Sequence, residues 1–519
     1  MARLKKFLTD NYIALILSAL FFIINLLFLT YFPFVHSDEP WLAGLSRNMM
    51  ESGNFSVTER FFDLYIRNPH AIKILFHSLQ IIFINLLGYN IFTVRLISLI
   101  FGTLALFVFY QLNKLIFASK PLALAALAFM AADIQFIYAS HFARQEIILL
   151  FVLILSLYLF YYNLNCHGFR HDILLGIILG LSIGLHPNSF IIFMPFPIIY
   201  IYYILKEKKL KTANLLVLCF IVTLFAAVFI GISFSFDHNF LTDYIKYGEQ
   251  FGVTDSFSSK FQEIKYFYIK LFYGVSGTYY TPGIKLQFCV FSSVLLLSIF
   301  KIMIKGGKHL DIAVVSIIQI LAINFAVIFV GRYNQTSIIF IFPFFYILFI
   351  YLISSFNRKT SIVISSILLL LLTYNSMQNI KPWLNQSYSS YLSNIAKAVK
   401  PSDTVLANLN AEFYFQNGKL FDYRNLAFLK ENNLNFEGYI KKNKIKYIIY
   451  PEEMDIIYNS RPVFNGLYGN PSTYYTDMQN FIKNKCELVY EFSDSVYAVR
   501  IMQYTNTKPW SIKIYKIKE

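Results

Sequence analysis

The feature that most constrains this chain is a series of apolar runs, each close to the roughly 20 residues that a helix needs to cross a bilayer. Hydrophobic residues make up 57% of the 519 residues, and charged residues only 14%. Too few charged groups remain to cover a soluble core of this size. The chain is therefore predicted to be a polytopic α-helical membrane protein with about eleven spans. They lie near residues 11–33, 91–117, 121–139, 147–163, 172–187, 189–205, 212–234, 286–304, 311–330, 336–353 and 361–378.

The basic residues predict how these spans are oriented. With the N-terminus in the cytoplasm, the cytoplasmic ends and short loops contain Arg3, Lys5, Lys6, Lys114, Lys120, Arg170, Lys206, Lys208, Lys209, Lys211, Lys301, Lys305, Lys308, Arg358 and Lys359. This bias follows the positive-inside rule for a multi-pass protein of the plasma (inner) membrane. The net charge of +16 is therefore largely topological, and nucleic acid is excluded as a partner.

The same orientation places three longer segments outside the membrane, at 34–90, 235–285 and 380–519. Residues 380–519 contain no long apolar run, and short strand-like and helix-like segments alternate there. The pattern predicts a small extracytoplasmic α/β domain that follows a membrane domain formed by residues 1–379. Its expected role is acceptor recognition or stabilisation of the outer face. The 235–285 loop is expected to contain two amphipathic helices that cover the donor, admit the acceptor or rest on the membrane.

Two adjacent carboxylates, Asp38 and Glu39, directly follow the first span. Pro40 suits the first turn of a helix and Gly53 suits its end, which predicts an amphipathic helix lying in the membrane interface. Acidic residues at a helix N-terminus can simply complement the helix dipole. A second apolar amphipathic stretch at 71–87, however, predicts another interfacial helix in this first outer loop.

In this setting the sequence resembles a known family. The Asp38-Glu39 pair after the first span and the segment from Gly88 to Arg95 that leads into the next one resemble the GT-C lipid-linked-sugar glycosyltransferases. Among these, the protein O-mannosyltransferases and the transferases that attach aminoarabinose to lipid A are the most similar in pattern. The resemblance continues through Ser140–Glu146, residues 180–187 and Gly331-Arg332-Tyr333. Relatives often carry a Glu-Lys or Lys-Pro-Pro motif where this chain has Arg67-Asn68-Pro69-His70.

The resemblance implies transfer of a sugar from a polyprenyl-phosphate donor to a lipid, glycan or protein acceptor at the extracytoplasmic face. An acceptor hydroxyl needs a carboxylate within hydrogen-bond reach to take its proton. Asp38 is accordingly predicted to be the general base of a single inverting displacement. Glu39 is predicted to be a supporting carboxylate or to bind a sugar hydroxyl.

The leaving phosphate needs cations where its charge develops. The predicted phosphate-binding residues are Arg144, Arg67 and Arg332. For Arg144 the alternative is a structural ion pair with Glu146 or Asp133, and Arg332 can equally snorkel to the interface. Supporting residues around the site are predicted to be Glu146, Asp133, His70 and His186.

Four histidines also map outside, namely His36, His70, His141 and His186, and together with Asp38 and Glu39 they suggest a divalent metal. No spacing such as HExxH is present. No metal site is therefore assigned and no cofactor is expected to be required, although a divalent metal stays open.

Gly176, Gly180 and Gly184 recur every four residues in one span. This spacing predicts a small-residue face that lets two helices approach closely.

Two other classes of protein fit parts of this pattern. A transporter or flippase of lipid-linked sugar would share the spans, but it would be expected to show internal repeats and polar groups near the midplane. A ligase or polymerase of lipid-linked glycans would share the donor chemistry. The clustering of the candidate residues at one face favours an interfacial enzyme.

Overall fold

The computed structural model describes residues 2–59, 63–65, 71–164, 168–206, 208, 210–249, 252–275, 277–304, 308–501, 504–505 and 508–518. Up to residue 380 this part of the chain is helical. Its helices are α1 (Ala2–Leu27), α2 (Asp38–Ser52), α3 (Ile74–Leu87), α4 (Ile91–Phe117), α5 (Lys120–Ala131), α6 (Ile134–His141), α7 (Glu146–Asn163), α8 (Phe169–Leu181), α9 (Ser189–Phe193), α10 (Pro195–Leu205), α11 (Thr212–Phe236), α12 (Phe240–Glu249), α13 (Phe257–Tyr273), α14 (Lys285–Met303), α15 (Leu310–Val330), α16 (Phe342–Ile353) and α17 (Arg358–Ile380).

Eight of the described helical segments are long and apolar enough to cross a membrane. They comprise α1, α4, α7, α11, α14, α15, α17 and the segment Gln335–Ile353, which contains α16. The other three predicted spans are helical but short or broken. One is the pair α5–α6, which is bent by 64°, and the others are α8 and the α9–α10 segment. The prediction of a polytopic helical membrane protein is confirmed, with a span count that depends on how these three are treated.

The bend between α5 and α6 has a local cause in Asp133. Its carboxylate accepts the backbone N–H groups of Gln135 at 2.7 Å and Phe136 at 3.3 Å, which caps a new helix directly after the first one ends. The hydroxyl of Tyr346 also donates to this carboxylate. Asp133 therefore has a structural role in the membrane region.

The glycine-rich face of α8 packs against α11, as its spacing predicts. A Cβ atom on Gly176 would lie 2.8 Å from Ile221, and one on Gly180 would lie 2.6 Å from the ring of Phe225. Real Cβ atoms essentially never come so close, so the two helices approach each other only because these positions lack a side chain.

We expect Gly180→Leu to destabilise the protein by about 1–3 kcal/mol, because the added side chain overpacks the contact with Phe225. Thermal unfolding of the purified protein in detergent measures the effect. Gly231→Leu is the matched control, since a Cβ atom there meets nothing within 4 Å. Equal melting temperatures for the two variants would contradict this account of the α8–α11 contact.

The first outer loop contains both predicted helices, α2 and α3. The first begins at Asp38 and ends before Gly53, whose φ of +63° lies in the left-handed region that favours glycine. The C-terminal domain covers part of the polar face of α2, while Glu51 near the end of this helix stays exposed. The guanidinium of Arg47 is buried, pairs with Glu412 and lies over the ring of Tyr89.

The C-terminal part forms the predicted α/β domain. Its strands are β1 (Val405–Ala407), β2 (Leu420–Asp422), β3 (Tyr447–Pro451), β4 (Cys486–Asp494) and β5 (Trp510–Ile517), and its helices are α18 (Tyr388–Ala396), α19 (Phe436–Lys442), α20 (Glu453–Ser460) and α21 (Tyr475–Lys485). The sheet order is β2-β1-β3-β5-β4. Strand β1 pairs in parallel with both β2 and β3, and β5 is antiparallel to both β3 and β4.

Candidate active site

The candidate site lies where several helices end on the same side of the bundle. Asp38 begins α2, which follows the C-terminal end of α1, and Arg144 lies in the connection between α6 and α7. Tyr279 precedes α14, and Thr336 follows the C-terminal end of α15. Residues far apart in sequence thus meet at one end of the membrane region.

Asp38 is the centre of this cluster, and its side chain is 15% exposed. The Arg144 guanidinium donates to Asp38 Oδ2 at 3.0 Å and to the Tyr279 hydroxyl at 2.9 Å. That hydroxyl in turn donates to the same Asp38 oxygen. Arg144 and Tyr279 therefore hold the carboxylate in one orientation from two directions.

His36 completes the inner wall. Its ring stacks on Tyr279 with 4.0 Å between centroids, its Nδ1 accepts the backbone N–H of Asp38 at 3.1 Å, and its Nε2 lies 2.8 Å from the Thr278 hydroxyl. Burial lowers the pKa of His36 to about 4, although the nearby Asp38 acts in the opposite direction. The imidazole is therefore neutral at pH 7 and serves as a rigid hydrogen-bonding ring.

The protonation state of Asp38 follows from the same neighbours. Burial would raise the pKa of this carboxyl, but His36, Arg144 and the hydrogen bond from Tyr279 together outweigh burial and lower it below the ordinary 3.8. Asp38 is consequently a carboxylate at neutral pH, as a proton acceptor must be.

Glu39 has a different environment from its neighbour Asp38. Its side chain is completely buried and receives two hydrogen bonds from Arg95, which is also completely buried, each at 2.8 Å. The backbone N–H groups of His36 and Ala143 donate to the same carboxylate, at 3.1 and 3.0 Å. The predicted contact of Glu39 with a sugar hydroxyl is not favoured by this geometry. Glu39 instead ties the Asp38 segment to α4 and to the Arg144 loop.

Glu146 braces the other side of Arg144. Its Oε1 atom lies 3.2 Å from Arg144 Nη2 and accepts the hydroxyl of Thr336 at 2.7 Å. The predicted alternative pairing of Arg144 with Glu146 is thus present, and it coexists with the bond to Asp38. Asp133, in contrast, contacts Tyr346 and its own helix cap as described above, and makes no described contact with Arg144.

A cavity of about 450 Å³ opens beside the cluster. Its lining is polar and carries charges of both signs. The residues that line it are Gly252, Asp255, Ser259, Lys260, Glu263, Tyr279, Gly331, Arg332, Tyr333, Asn334 and Gln335. Tyr279 therefore belongs both to the Asp38 cluster and to the cavity lining, and the predicted phosphate-binding residue Arg332 lies in the same lining.

The remaining predicted residues are distributed as follows. Arg67 and His70 lie outside the described residues. His186 is buried, and its Nδ1 accepts the backbone N–H of Asn188 at 3.0 Å, while Asn188 donates to Ser337 at 3.2 Å. His186 therefore lies in the turn before α9, and Asn188 links that turn to the segment that follows Thr336.

No metal centre is evident in the portion of the chain that the structure describes. There, no group of three or more His, Cys, Asp or Glu side chains is arranged to hold a metal ion. His141 bonds to the Asn25 amide oxygen and the Phe32 carbonyl, each at 2.9 Å, and thus stays within the helix bundle.

The C-terminal domain docks directly on the segment that carries the site. The hydroxyl of Tyr497 accepts the backbone N–H of Val35 at 3.2 Å, and the Asn410 amide donates to the Val35 carbonyl at 3.3 Å. Val35 immediately precedes His36, so the domain fixes the strand of chain that leads into Asp38.

Sequence reasoning missed Tyr279, Thr278 and Thr336 as members of the site. Tyr279 lies in a chain rich in aromatic residues, with 38 tyrosines, and nothing in its local pattern separates it from interfacial aromatics. The one available signal was its position at the end of the 235–285 loop, directly before a predicted span.

A helical bundle with its site at one end, two helices in the first outer loop and an α/β domain on the same side define the GT-C class of membrane protein. ArnT from Cupriavidus metallidurans bound to undecaprenyl phosphate has a similar structure, with a TM-score of 0.62, 12% identity and coverage of 98% of both chains. The same protein in the apo state gives a TM-score of 0.59 at 12% identity, with coverage of 97% of both chains.

The Archaeoglobus fulgidus oligosaccharyltransferase, tethered through a disulfide bond with an acceptor peptide containing the NVT sequon, has a TM-score of 0.50 at 14% identity. The match covers 88% of this chain and 71% of the oligosaccharyltransferase chain. Residues 71–232 match the family described as dolichyl-phosphate-mannose-protein mannosyltransferase. Comparison with curated proteins gave no significant match. The predicted resemblance to the GT-C lipid-linked-sugar glycosyltransferases is confirmed, and this chain has their fold.

Proposed function

We propose that this protein is an integral-membrane glycosyltransferase that moves a sugar from a polyprenyl-phosphate donor to an acceptor hydroxyl. The observation that carries the proposal is the ionised Asp38 carboxylate, oriented by Arg144 and Tyr279 beside a polar cavity at one end of the bundle. In the orientation that the basic residues predict, this end faces the extracytoplasmic side of the inner membrane. The acceptor is a lipid, glycan or protein.

The reaction is a single inverting displacement. The acceptor oxygen forms a bond to the anomeric carbon while the bond from that carbon to the phosphate oxygen breaks, and the polyprenyl phosphate leaves with the bonding electrons. The acceptor proton passes to Asp38. A carboxylate with a lowered pKa is a weak base, so it accepts the proton late, once bond formation has made the hydroxyl acidic.

The comparisons support this proposal through the ligands of the related structures. The ArnT structure holds undecaprenyl phosphate, and the archaeal oligosaccharyltransferase holds an acceptor peptide. A transporter is the main competing function. The charged residues described here gather at one end of the bundle, whereas a transporter site is expected near the membrane midplane.

The test offers the purified protein a panel of polyprenyl-phosphate sugars with candidate acceptors and measures release of polyprenyl phosphate. We expect release that depends on one donor and on an acceptor. If no donor in the panel led to release of polyprenyl phosphate, and the protein took up or flipped a lipid-linked sugar in proteoliposomes, the transporter would be favoured.

We expect Tyr279→Phe to move the acidic limb of the pH profile of kcat/KM to higher pH. The hydroxyl of Tyr279 is one of the groups that lower the pKa of Asp38 below 3.8, so its loss raises that pKa and protonates the base at a higher pH. Tyr273→Phe is the matched control, since Tyr273 is 64% exposed and lies outside the cluster. Identical pH profiles for wild type and Tyr279→Phe would contradict the assigned role.

We propose that transfer needs no metal ion, because arginine side chains, including Arg144 next to Asp38 and Arg332 in the cavity lining, supply the positive charge. Activity is therefore expected to persist after dialysis against EDTA, measured as polyprenyl phosphate release. Loss of activity that is restored by Mg²⁺ or Mn²⁺ would show that a divalent ion takes part.

A further inference from the structure

The formal charges of the Asp38 cluster leave room for a further cation besides Arg144 and besides Arg332 in the cavity lining. Asp38 and Glu146 share the single guanidinium of Arg144, so these three residues carry a net charge of −1 (two carboxylates and one guanidinium). Glu39 and Arg95 neutralise each other nearby. A phosphate group that gains charge as it leaves is not stabilised by an anionic cluster alone.

The C-terminal domain brings its polar end toward this cluster. In sheets with parallel strands, ligands bind at the carboxyl ends of the strands. Asn408 follows β1, Asp422 ends β2 and Glu453 follows β3, so all three lie at that end. The loop after β1 also carries Asn410, which bonds to Val35 three residues before Asp38. The ligand-binding end of the sheet therefore faces the catalytic segment.

Arg424 is the more exposed of the two arginines that pair with carboxylates at this end of the sheet. The Asp422 carboxylate accepts hydrogen bonds from Arg424 Nε at 2.7 Å and Arg424 Nη2 at 3.3 Å. It also accepts the backbone N–H of Leu409, next to Asn410, at 3.0 Å. The Arg424 side chain is 20% exposed, whereas that of Arg500, which pairs with Glu453, is only 4% exposed.

The residue that follows Arg424 contacts the other half of the first outer loop. The backbone N–H of Asp63 donates to the side-chain oxygen of Asn425 at 2.8 Å, and the Asn425 amide donates back to Asp63 at 3.4 Å. Arg424 is therefore part of a segment whose neighbours contact both the chain that leads to Asp38 and the segment around Asp63. Burial is the largest single influence on both pKa values, raising that of Asp38 and lowering that of His36, and the charge of Arg424 contributes to lowering both.

We infer that Arg424 binds a substrate phosphate group, so that the C-terminal domain supplies part of the binding site rather than only covering it. The inference rests on the proposed function. The planar guanidinium, held side-on by Asp422, suits the geometry of a phosphate. That phosphate belongs either to the polyprenyl-phosphate donor or to a phosphorylated acceptor.

The experiment uses the full-length protein in lipid nanodiscs and measures the Kd of undecaprenyl phosphate. We expect Arg424→Gln to weaken binding by about tenfold or more, because a charge-assisted contact is lost. Arg424→Lys should lose less, since the charge remains without the planar fork. Arg461→Gln is the control, because Arg461 is an exposed arginine of the same domain whose one described side-chain bond goes to the Tyr504 carbonyl. It should bind as the wild type does.

A second arm compares transfer to acceptors with and without a phosphomonoester. An unchanged Kd for undecaprenyl phosphate, combined with a tenfold higher KM for the phosphorylated acceptor only, would support the inference and assign the phosphate to the acceptor. Where Arg424→Gln does not fold, Asp422→Asn/Arg424→Gln removes both charges of the pair and gives the same readouts.

The inference would be overturned, while the proposed function stands, if a folded Arg424→Gln variant kept both the wild-type Kd for undecaprenyl phosphate and the wild-type KM for the phosphorylated acceptor. A wild-type protein that neither binds undecaprenyl phosphate nor releases it from any donor would overturn the proposed function and, with it, this inference.

Discussion

Replacing Asp38 with Asn is expected to lower the rate of sugar transfer by about 10²–10⁴-fold, the usual contribution of a general base. The amide keeps the size of the side chain and its ability to accept from Arg144 and Tyr279, but it cannot take the acceptor proton. The loss should therefore appear in kcat. Binding of undecaprenyl phosphate should persist or strengthen, because the substitution removes a negative charge from the cluster.

Steady-state release of polyprenyl phosphate measures the first effect, and equilibrium binding measures the second. Asp477→Asn is the matched control, since Asp477 lies exposed on α21 in the C-terminal domain and is expected to give wild-type rates. A folded Asp38→Asn variant with wild-type transfer would refute the assignment of the base. Loss of binding together with transfer would instead indicate that Asp38 positions the donor.

Much of the fold was predictable because the membrane imposes it. Residue composition and the spacing of apolar runs follow directly from the bilayer thickness, so the helical segments agree with the predicted spans. The three predicted spans that are short or broken depend on local chemistry that a hydropathy profile does not show. Asp133 breaks a span by capping a new helix, and a single carboxylate changes the apolar character of such a run very little.

The site was only partly predictable, and the pair Asp38-Glu39 shows why. The resemblance predicts different roles for the two carboxylates, but they are identical in charge and adjacent in sequence, so the pattern does not reveal their different surroundings. Adjacent residues on a helix point about 100° apart, since 3.6 residues make one turn. At the start of α2 this rotation directs Glu39 toward the buried Arg95 and leaves Asp38 with Arg144 and Tyr279.

Tyr279 and the docking of the C-terminal domain depend on contacts between distant segments. Tyr279 reaches a residue 241 positions away, and Asn410 reaches one 375 positions away. Such pairs leave no trace in a single sequence because each partner is locally unremarkable. The sequence therefore indicated that there is an α/β domain outside the membrane, while its contact with the Asp38 segment required the structure.

Arg95→Met is expected to destabilise the protein by about 3–5 kcal/mol, the usual effect of removing one partner of a buried ion pair. Both Arg95 and Glu39 are completely buried, so the substitution leaves an uncompensated carboxylate. Arg95 also donates to the carbonyls of Leu29 at 3.0 Å and Pro33 at 2.9 Å, which hold the turn between α1 and the site. Thermal unfolding in detergent measures the loss, and Arg358→Met, at an exposed position in the first turn of α17, serves as the control.

The double variant Glu39→Gln/Arg95→Met separates structure from chemistry. Because it removes both charges, it should recover part of the stability that either single substitution loses. If Glu39 acts only by positioning the Asp38 segment, the fraction of the double variant that folds should retain its preference among sugar donors. A changed preference in folded protein would mean that Glu39 contacts the sugar after all. If Glu39→Gln and Arg95→Met each had the melting temperature of the wild type, this pair would not have the proposed role of holding Asp38 at the site.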